Sequence, residues 1–142
     1  MKPSAILETC LCATDLETAA AFYTKVLGLE MFAKEPGRHA FFRCGQGVFL
    51  LFNPEVTIHE TSIVNGSPIP PHGTTGAGHV CFRVGEEEIP AWRERLLQAG
   101  VEIESEVEWP AGGTSLYFRD PEGNCLEVAP SVIWGLPNEQ NT

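Results

Sequence analysis

Three residues of this chain, Glu8, His79 and Glu127, are of metal-ligating type and recur at positions that a single fold could bring to one point. A carboxylate, an imidazole and a second carboxylate suit one divalent cation that accepts mixed oxygen and nitrogen donors, such as Fe²⁺, Mn²⁺, Ni²⁺, Co²⁺ or Zn²⁺. Three protein donors also leave coordination positions open for water or a substrate. Taken singly, each residue has a plainer explanation: Glu8 as a solvated strand-edge carboxylate, Glu127 as a hairpin salt-bridge partner, His79 as a satisfied, partly buried histidine. An internal repeat that sets all three on matched positions favours the shared explanation.

The first copy of the repeat opens with a strand over Ile6 to Cys12, followed by Asp15 as an N-cap and a helix from Leu16 to Leu27. Ala19, Phe22, Tyr23, Val26 and Leu27 form its apolar stripe and Gly28 its stop. The second copy opens with His79 to Val84, then a helix near Ile89 to Ala99 with Pro90 at its start, and Gly100 after it. Glu8 precedes Gly28 by 20 residues and His79 precedes Gly100 by 21. Leu29-Glu30-Met31 and Val101-Glu102-Ile103 then answer each other.

Each copy ends in a strand, turn and strand, with Phe42 and Phe118 each five residues before a glycine, Gly47 and Gly123. This predicts a βαβββ module twice over, and an α+β fold. Counting from the glycines sets Glu127 and Leu51 on one equivalent seat, as Glu8 and His79 share another. Asn53 to Gly78, about 25 residues rich in Pro and Gly, reads as a linker long enough to act as a lid.

Strand alternation puts Cys10 and Cys12 on the face of Glu8, Cys81 and Arg83 on that of His79, and Cys125 on that of Glu127. Ser115 and Tyr117, with His39 at the position matching Ser115, are expected on the same concave side. Tyr117 is a candidate hydrogen-bond donor to a bound oxygen, and Arg83 or Arg119 a candidate anchor for an anionic group. The plainer readings are a packing aromatic, surface ion pairs and, for the cysteines, small core residues. His72 in the linker could swing over the site, but it and His59 also read as solvated loop residues. Glu86-Glu87-Glu88 and the run from Glu102 to Glu108 read as solvated faces, the former also favouring a helix N-terminus.

At 142 residues, 43% hydrophobic and 20% charged, the chain is expected to form one compact domain over 1–142. Its parts are module 1 at about 5–53, a linker at 54–77, module 2 at about 78–130 and a tail at 131–142 that docks Trp134 and frays from Asn138. A formal charge of −10 repels phosphate backbones and anionic membrane surfaces, so neither nucleic acid nor membrane is an expected partner. No apolar leader opens the sequence and no stretch is long enough to cross a bilayer, which makes a cytoplasmic location the expectation. Five cysteines without a secretory signal are expected to be reduced.

Glu8 through Asp15-Leu16 to Val26-Leu27-Gly28-Leu29, then Gly78-His79-Val80, and above all Tyr117-Phe118-Arg119-Asp120-Pro121-Glu122-Gly123-Asn124 with Glu127, resemble the vicinal oxygen chelate superfamily. That superfamily includes glyoxalase I, fosfomycin-resistance proteins, methylmalonyl-CoA epimerase and extradiol dioxygenases. The resemblance implies that the two modules form a partly open, cupped β-barrel with helices packed outside. It further implies a divalent metal that chelates two adjacent oxygens of a small-molecule substrate and stabilises an enolate or alkoxide. Glu127 or Glu8 would leave the metal to act as base, and a second chain would complete the cleft of a homodimer.

Glu8 stands where members often have His, and Leu51 where four-ligand members have a ligand. Glu108-Trp109-Pro110-Ala111 also lacks the histidine of the extradiol dioxygenase signature, which disfavours ring cleavage. A metal-dependent lyase or isomerase of glyoxalase I type is the expectation. Its competitors are an extradiol-type dioxygenase, a fosfomycin-resistance-type transferase or hydrolase, and a metal-free drug-binding protein.

Overall fold

The computed structural model describes residues 1–137, so the fraying expected from Asn138 lies outside the described residues. In chain order the elements are β1 (Glu8–Cys12), α1 (Leu16–Lys25), β2 (Glu30–Glu35), β3 (His39–Cys44), β4 (Gly47–Phe52), α2 (Pro54–Thr57), β5 (Ser62–Val64) and β6 (Ser67–Ile69). There follow β7 (His79–Arg83), α3 (Ile89–Gln98), β8 (Ser105–Glu108), β9 (Thr114–Arg119) and β10 (Cys125–Ala129). The first module is a four-stranded sheet in the order β1-β4-β3-β2 and the second a sheet in the order β7-β10-β9-β8. Both are α+β units of βαβββ type, and neither sheet closes on itself.

In each sheet the first strand runs parallel to the last and the other pairs are antiparallel. By internal contacts the chain divides into two compact units, Met1–Gly78 and His79–Thr142. Residues 54–77 group with the first unit, and they are not structureless: they hold α2 and the β5–β6 hairpin. Among the described residues no helix is long and apolar enough to cross a membrane.

Local chemistry explains the helices. The Asp15 carboxylate accepts from the Thr18 N–H at 3.1 Å and from the Thr18 hydroxyl at 2.7 Å, satisfying a donor that the first turn leaves without a helical partner. Gly28 then takes φ +71°, a left-handed conformation that costs a side-chain-bearing residue energy. The helix ends at Lys25, two residues before the expected Leu27. Leu16, Ala19 and Tyr23 fall on one stripe and are buried. Tyr23 packs its ring 4.7 Å from Phe49 and 6.0 Å from Phe42. In the second unit Leu96 of α3 is buried, as are Leu116, Phe118, Leu126 and Val128 of the sheet.

Strand periodicity turns this packing into a rule for the site: residues facing α1 or α3 form the core, and their neighbours lie on the opposite face. On that face the first sheet carries Glu8, Cys10, Phe41, Leu50 and Phe52, and the second carries His79, Cys81, Tyr117 and Glu127. The pairing also corrects the repeat register. Glu8 pairs with Val48 where His79 pairs with Cys125, and Phe42 pairs with Phe49 where Phe118 pairs with Leu126. Both registers set Leu50, not Leu51, on the seat of Glu127. The turn after Phe118 holds one residue more than the turn after Phe42, and a slip of one residue moves a strand side chain to the other face. Leu51 accordingly lies fully buried. Trp134 does not dock: it is 77% exposed.

The longer turn is held by Asp120, a buried residue. Its carboxylate accepts from the Glu122 N–H at 3.0 Å, the Asn124 N–H at 2.9 Å and the Asn124 side-chain amide at 2.9 Å. Replacing Asp120 by Ala strands these donors and is expected to lower the unfolding free energy by about 3 kcal/mol. A fall in the urea midpoint at unchanged slope would register it, and a loss below about 0.5 kcal/mol would refute the role of this turn.

Candidate metal centre

The second unit brings two of the three expected ligands together. His79 Nε2 lies 3.4 Å from Glu127 Oε2, with the His79 side chain half exposed and that of Glu127 6% exposed. The other imidazole nitrogen, Nδ1, lies 2.9 Å from the Cys125 carbonyl oxygen. A carbonyl can only accept, so Nδ1 carries a proton and Nε2 is the nitrogen turned to Glu127. Two acceptors at 3.4 Å repel unless a positive charge lies at their meeting point, either a proton or a cation. A histidine fixed through its far nitrogen by a carbonyl is also the usual way a metal-binding imidazole is oriented. The donor set therefore fits a divalent cation.

Proton logic fixes the other end of Glu127 as well. The Trp109 indole N–H, which can only donate, reaches the Ser115 hydroxyl oxygen at 2.8 Å. The Ser115 hydroxyl proton is then available to Glu127 Oε1, with which Ser115 makes a short hydrogen bond. Oε1 is occupied, and Oε2 is the oxygen that faces His79. Tyr117 and Cys81 pair with Glu127 in register from the strands on either side. The Tyr117 ring stacks on His79 with centroids 6.4 Å apart. Loss of water and then the Glu127 charge raise the Tyr117 phenol above its ordinary value. The same causes push the Cys81 thiol up to about 12. Both stay protonated through the physiological range, which makes Tyr117 a donor and Cys81 a poor nucleophile.

The remaining candidates separate. Glu8 sits exposed on β1 of the first unit and lines a cleft there that also holds His39. Among the described residues of the chain no three metal-ligating side chains cluster around a point. Ser115 is fully buried and serves Glu127 rather than lining a cavity. Arg83 is exposed on β7. Arg119 is committed to Glu104 through two hydrogen bonds of 2.7 and 3.0 Å and does not hold an anion at the site. Trp109 escaped sequence reasoning, because its role depends on the β8–β9 hairpin folding it back over Ser115. The hairpin register, with Glu108 opposite Thr114, would have been the only signal.

Replacing Ser115 by Ala leaves the Trp109 indole and Glu127 Oε1 short of a partner in the interior. The expected cost is about 2 kcal/mol of unfolding free energy in urea denaturation, with Ser115→Thr retaining more of the stability than Ser115→Ala.

Residues 5–128 match the family described as the Glyoxalase/Bleomycin resistance protein/Dioxygenase superfamily. The chain belongs to that superfamily. Its fold is similar to that of the lactoylglutathione lyase of Agrobacterium tumefaciens, with a TM-score of 0.88 and 42% identity over 96% of this chain and 100% of that one. It is also similar to the glutathione transferase FosA of Serratia marcescens, 30% identical over 83% of this chain and 74% of FosA. The metallothiol transferase FosB of Bacillus licheniformis is 27% identical over 85% of this chain and 71% of its own. These relatives are named as enzymes.

Proposed function

We propose that the protein is a divalent-metal-dependent enzyme of glyoxalase I kind, a lyase or isomerase that holds a small oxygenated substrate through two adjacent oxygens. The observation that carries this reading is the pair of converging acceptors, His79 Nε2 and Glu127 Oε2, each fixed from behind. Glu8, His79 and Glu127 would hold the cation, Fe, Mn, Ni, Co or Zn. Bound there, it supplies positive charge where an oxygen becomes negative, a contribution of several kcal/mol. Glu127 would take a proton from a substrate carbon and return it, with Glu8 the other candidate base. Tyr117, kept neutral, donates to a substrate oxygen.

Glu8 would come from a second copy. On this proposal the protein is a homodimer in which Glu8 of one chain joins His79 and Glu127 of the partner subunit. Modules 5–53 and 78–130 of a single domain then each supply half of a site. Support comes from β1 and β7, the strands that carry Glu8 and His79, which both lie at the edges of their sheets, where another chain can add. A reducing, cytoplasmic setting is part of the same proposal. The similarity to FosA and FosB favours one second reading, metal-dependent addition of a thiol to an epoxide.

Metal analysis is the direct test. The purified protein should carry stoichiometric first-row cation and His79→Ala should lose it; unchanged stoichiometry and affinity in the variant would sink the site. Turnover of a hemithioacetal without thiol addition to an epoxide would select the lyase, and the reverse the transferase. For the shared site, refolding Glu8→Ala and His79→Ala chains together should restore about a quarter of wild-type sites, since half the dimers are mixed and each has one intact site. No restoration would refute sharing between chains.

A further inference from the structure

The corrected register allows the sheet faces turned away from α1 and α3 to be compared seat by seat. Where the second unit has Glu127, Tyr117 and Ser115, the first has Leu50, Phe41 and His39. The carboxylate and the groups that serve it in one copy are replaced by hydrocarbon and rings in the other. This face of the first unit lines a cleft of about 680 Å³, a volume usual for small-molecule sites.

Phe32, His39, Phe41, Phe52 and His72 bring rings to the cleft. His39 stacks on Phe41 with centroids 4.1 Å apart and planes 9° apart. Phe52 stands edge-on to Phe41 at 5.5 Å, and His72 edge-on to Phe52 at 4.5 Å. The β5–β6 hairpin contributes Ile63 and Ile69 to the lining. His72 is tied to the first unit's frame by its N–H, which donates to the Thr57 carbonyl at 3.0 Å. Charge in the cleft does not favour an anion. The Arg38 guanidinium, its one Arg or Lys, lies 3.9 Å from a Glu35 carboxylate oxygen and 3.8 Å from one of Glu60, and Glu8 and Glu35 are themselves lining carboxylates. Burial lowers the His39 pKa, so its ring adds no cation near neutrality.

We infer that this cleft seats a flat, uncharged aromatic or conjugated group of the substrate, which makes aryl-bearing oxygenated compounds the preferred class and small phosphonates a poor one. The inference rests on the metal reading in one respect. Glu8, the proposed first-module ligand, is part of the lining, so a substrate gripped there through its oxygens would lay its remainder against Phe41 and Phe52. Ring faces and edges then contact the ligand in stacked and edge-on geometry, which aliphatic groups exploit less well.

Calorimetric titration of the purified homologous pair 2-hydroxyacetophenone and hydroxyacetone, with methylphosphonate as the anionic comparison, tests it. The aryl ketone should bind at least about tenfold more tightly than the aliphatic one, and methylphosphonate more weakly than the aryl ketone. Phe41→Leu, which keeps volume but removes the ring, and Phe52→Ala should each shrink the aryl preference while cation stoichiometry stays at the wild-type value. Equal affinity for the two ketones, tighter binding of methylphosphonate, or an aryl preference untouched by both variants would overturn the inference. Repeating the titration on His79→Ala separates the two proposals. An aryl preference that persists there supports the cleft even if no cation binds to any form, and its absence from metal-loaded wild type refutes the cleft while leaving the metal site standing.

Discussion

The proposed function depends on holding two electron-pair donors, an imidazole nitrogen and a carboxylate oxygen, 3.4 Å apart. Left alone they would separate or collect a proton. Here neither can turn away: the Cys125 carbonyl fixes the ring through Nδ1, and Ser115, itself fixed by Trp109, fixes the carboxylate through Oε1. The pair is thus preorganised, and the free energy of ordering it comes from folding rather than from binding. A positive charge arriving between them meets donors that need no rearrangement.

One βαβββ plan used twice explains why such a site can exist on a chain this short. The helix covers one face of each sheet and supplies the core, through Tyr23 with Phe42 and Phe49 in one unit and through residues such as Leu96 and Phe118 in the other. Stability is therefore concentrated on the covered face. The opposite face is free to diverge, and the two copies have diverged there in opposite directions, one polar and one aromatic.

Much of this was legible in the sequence, because it is written in periodicity. Asp15 and Gly28 bound a helix by their own backbone and capping chemistry, and the matched spacing of Glu8 and His79 needs only counting. What was lost needed a length or a partner that counting cannot supply. Aligning the glycines sets Leu51 on the seat of Glu127, but the Asp120 turn is one residue longer, so the strand register slides and Leu50 faces the cleft instead. Arg119 reads from the sequence either as an anion anchor or as a surface ion-pair partner, and Glu104, which lies across the fold in a run that reads as solvated, makes it the second. Ser115 lies on the expected face but is buried and bonded to Glu127 and Trp109, an arrangement that spacing alone does not carry. The linker hid a helix and a hairpin behind its prolines and glycines.

The divergence of the two faces follows a single constraint. A carboxylate taken out of water must be met by donors, and donors taken out of water must be met by acceptors, so a buried polar group comes with its whole network or not at all. In the second unit Glu127 is 5% exposed as a residue, and Ser115, Trp109 and Tyr117 gather around it. In the first unit Leu50 removes the carboxylate, and its neighbours lose their reason to be hydroxyls: the seat of Tyr117 holds Phe41, and the seat of Ser115 holds His39, which turns to stack on Phe41 instead. A Glu at position 50 would be stranded among rings, and a Leu at 127 would strand Ser115 and Trp109. The intermediate steps between these two faces are therefore less stable than either end. That is a physical reason for one copy to gather donors around a carboxylate and the other to set hydrocarbon and rings on the same seats.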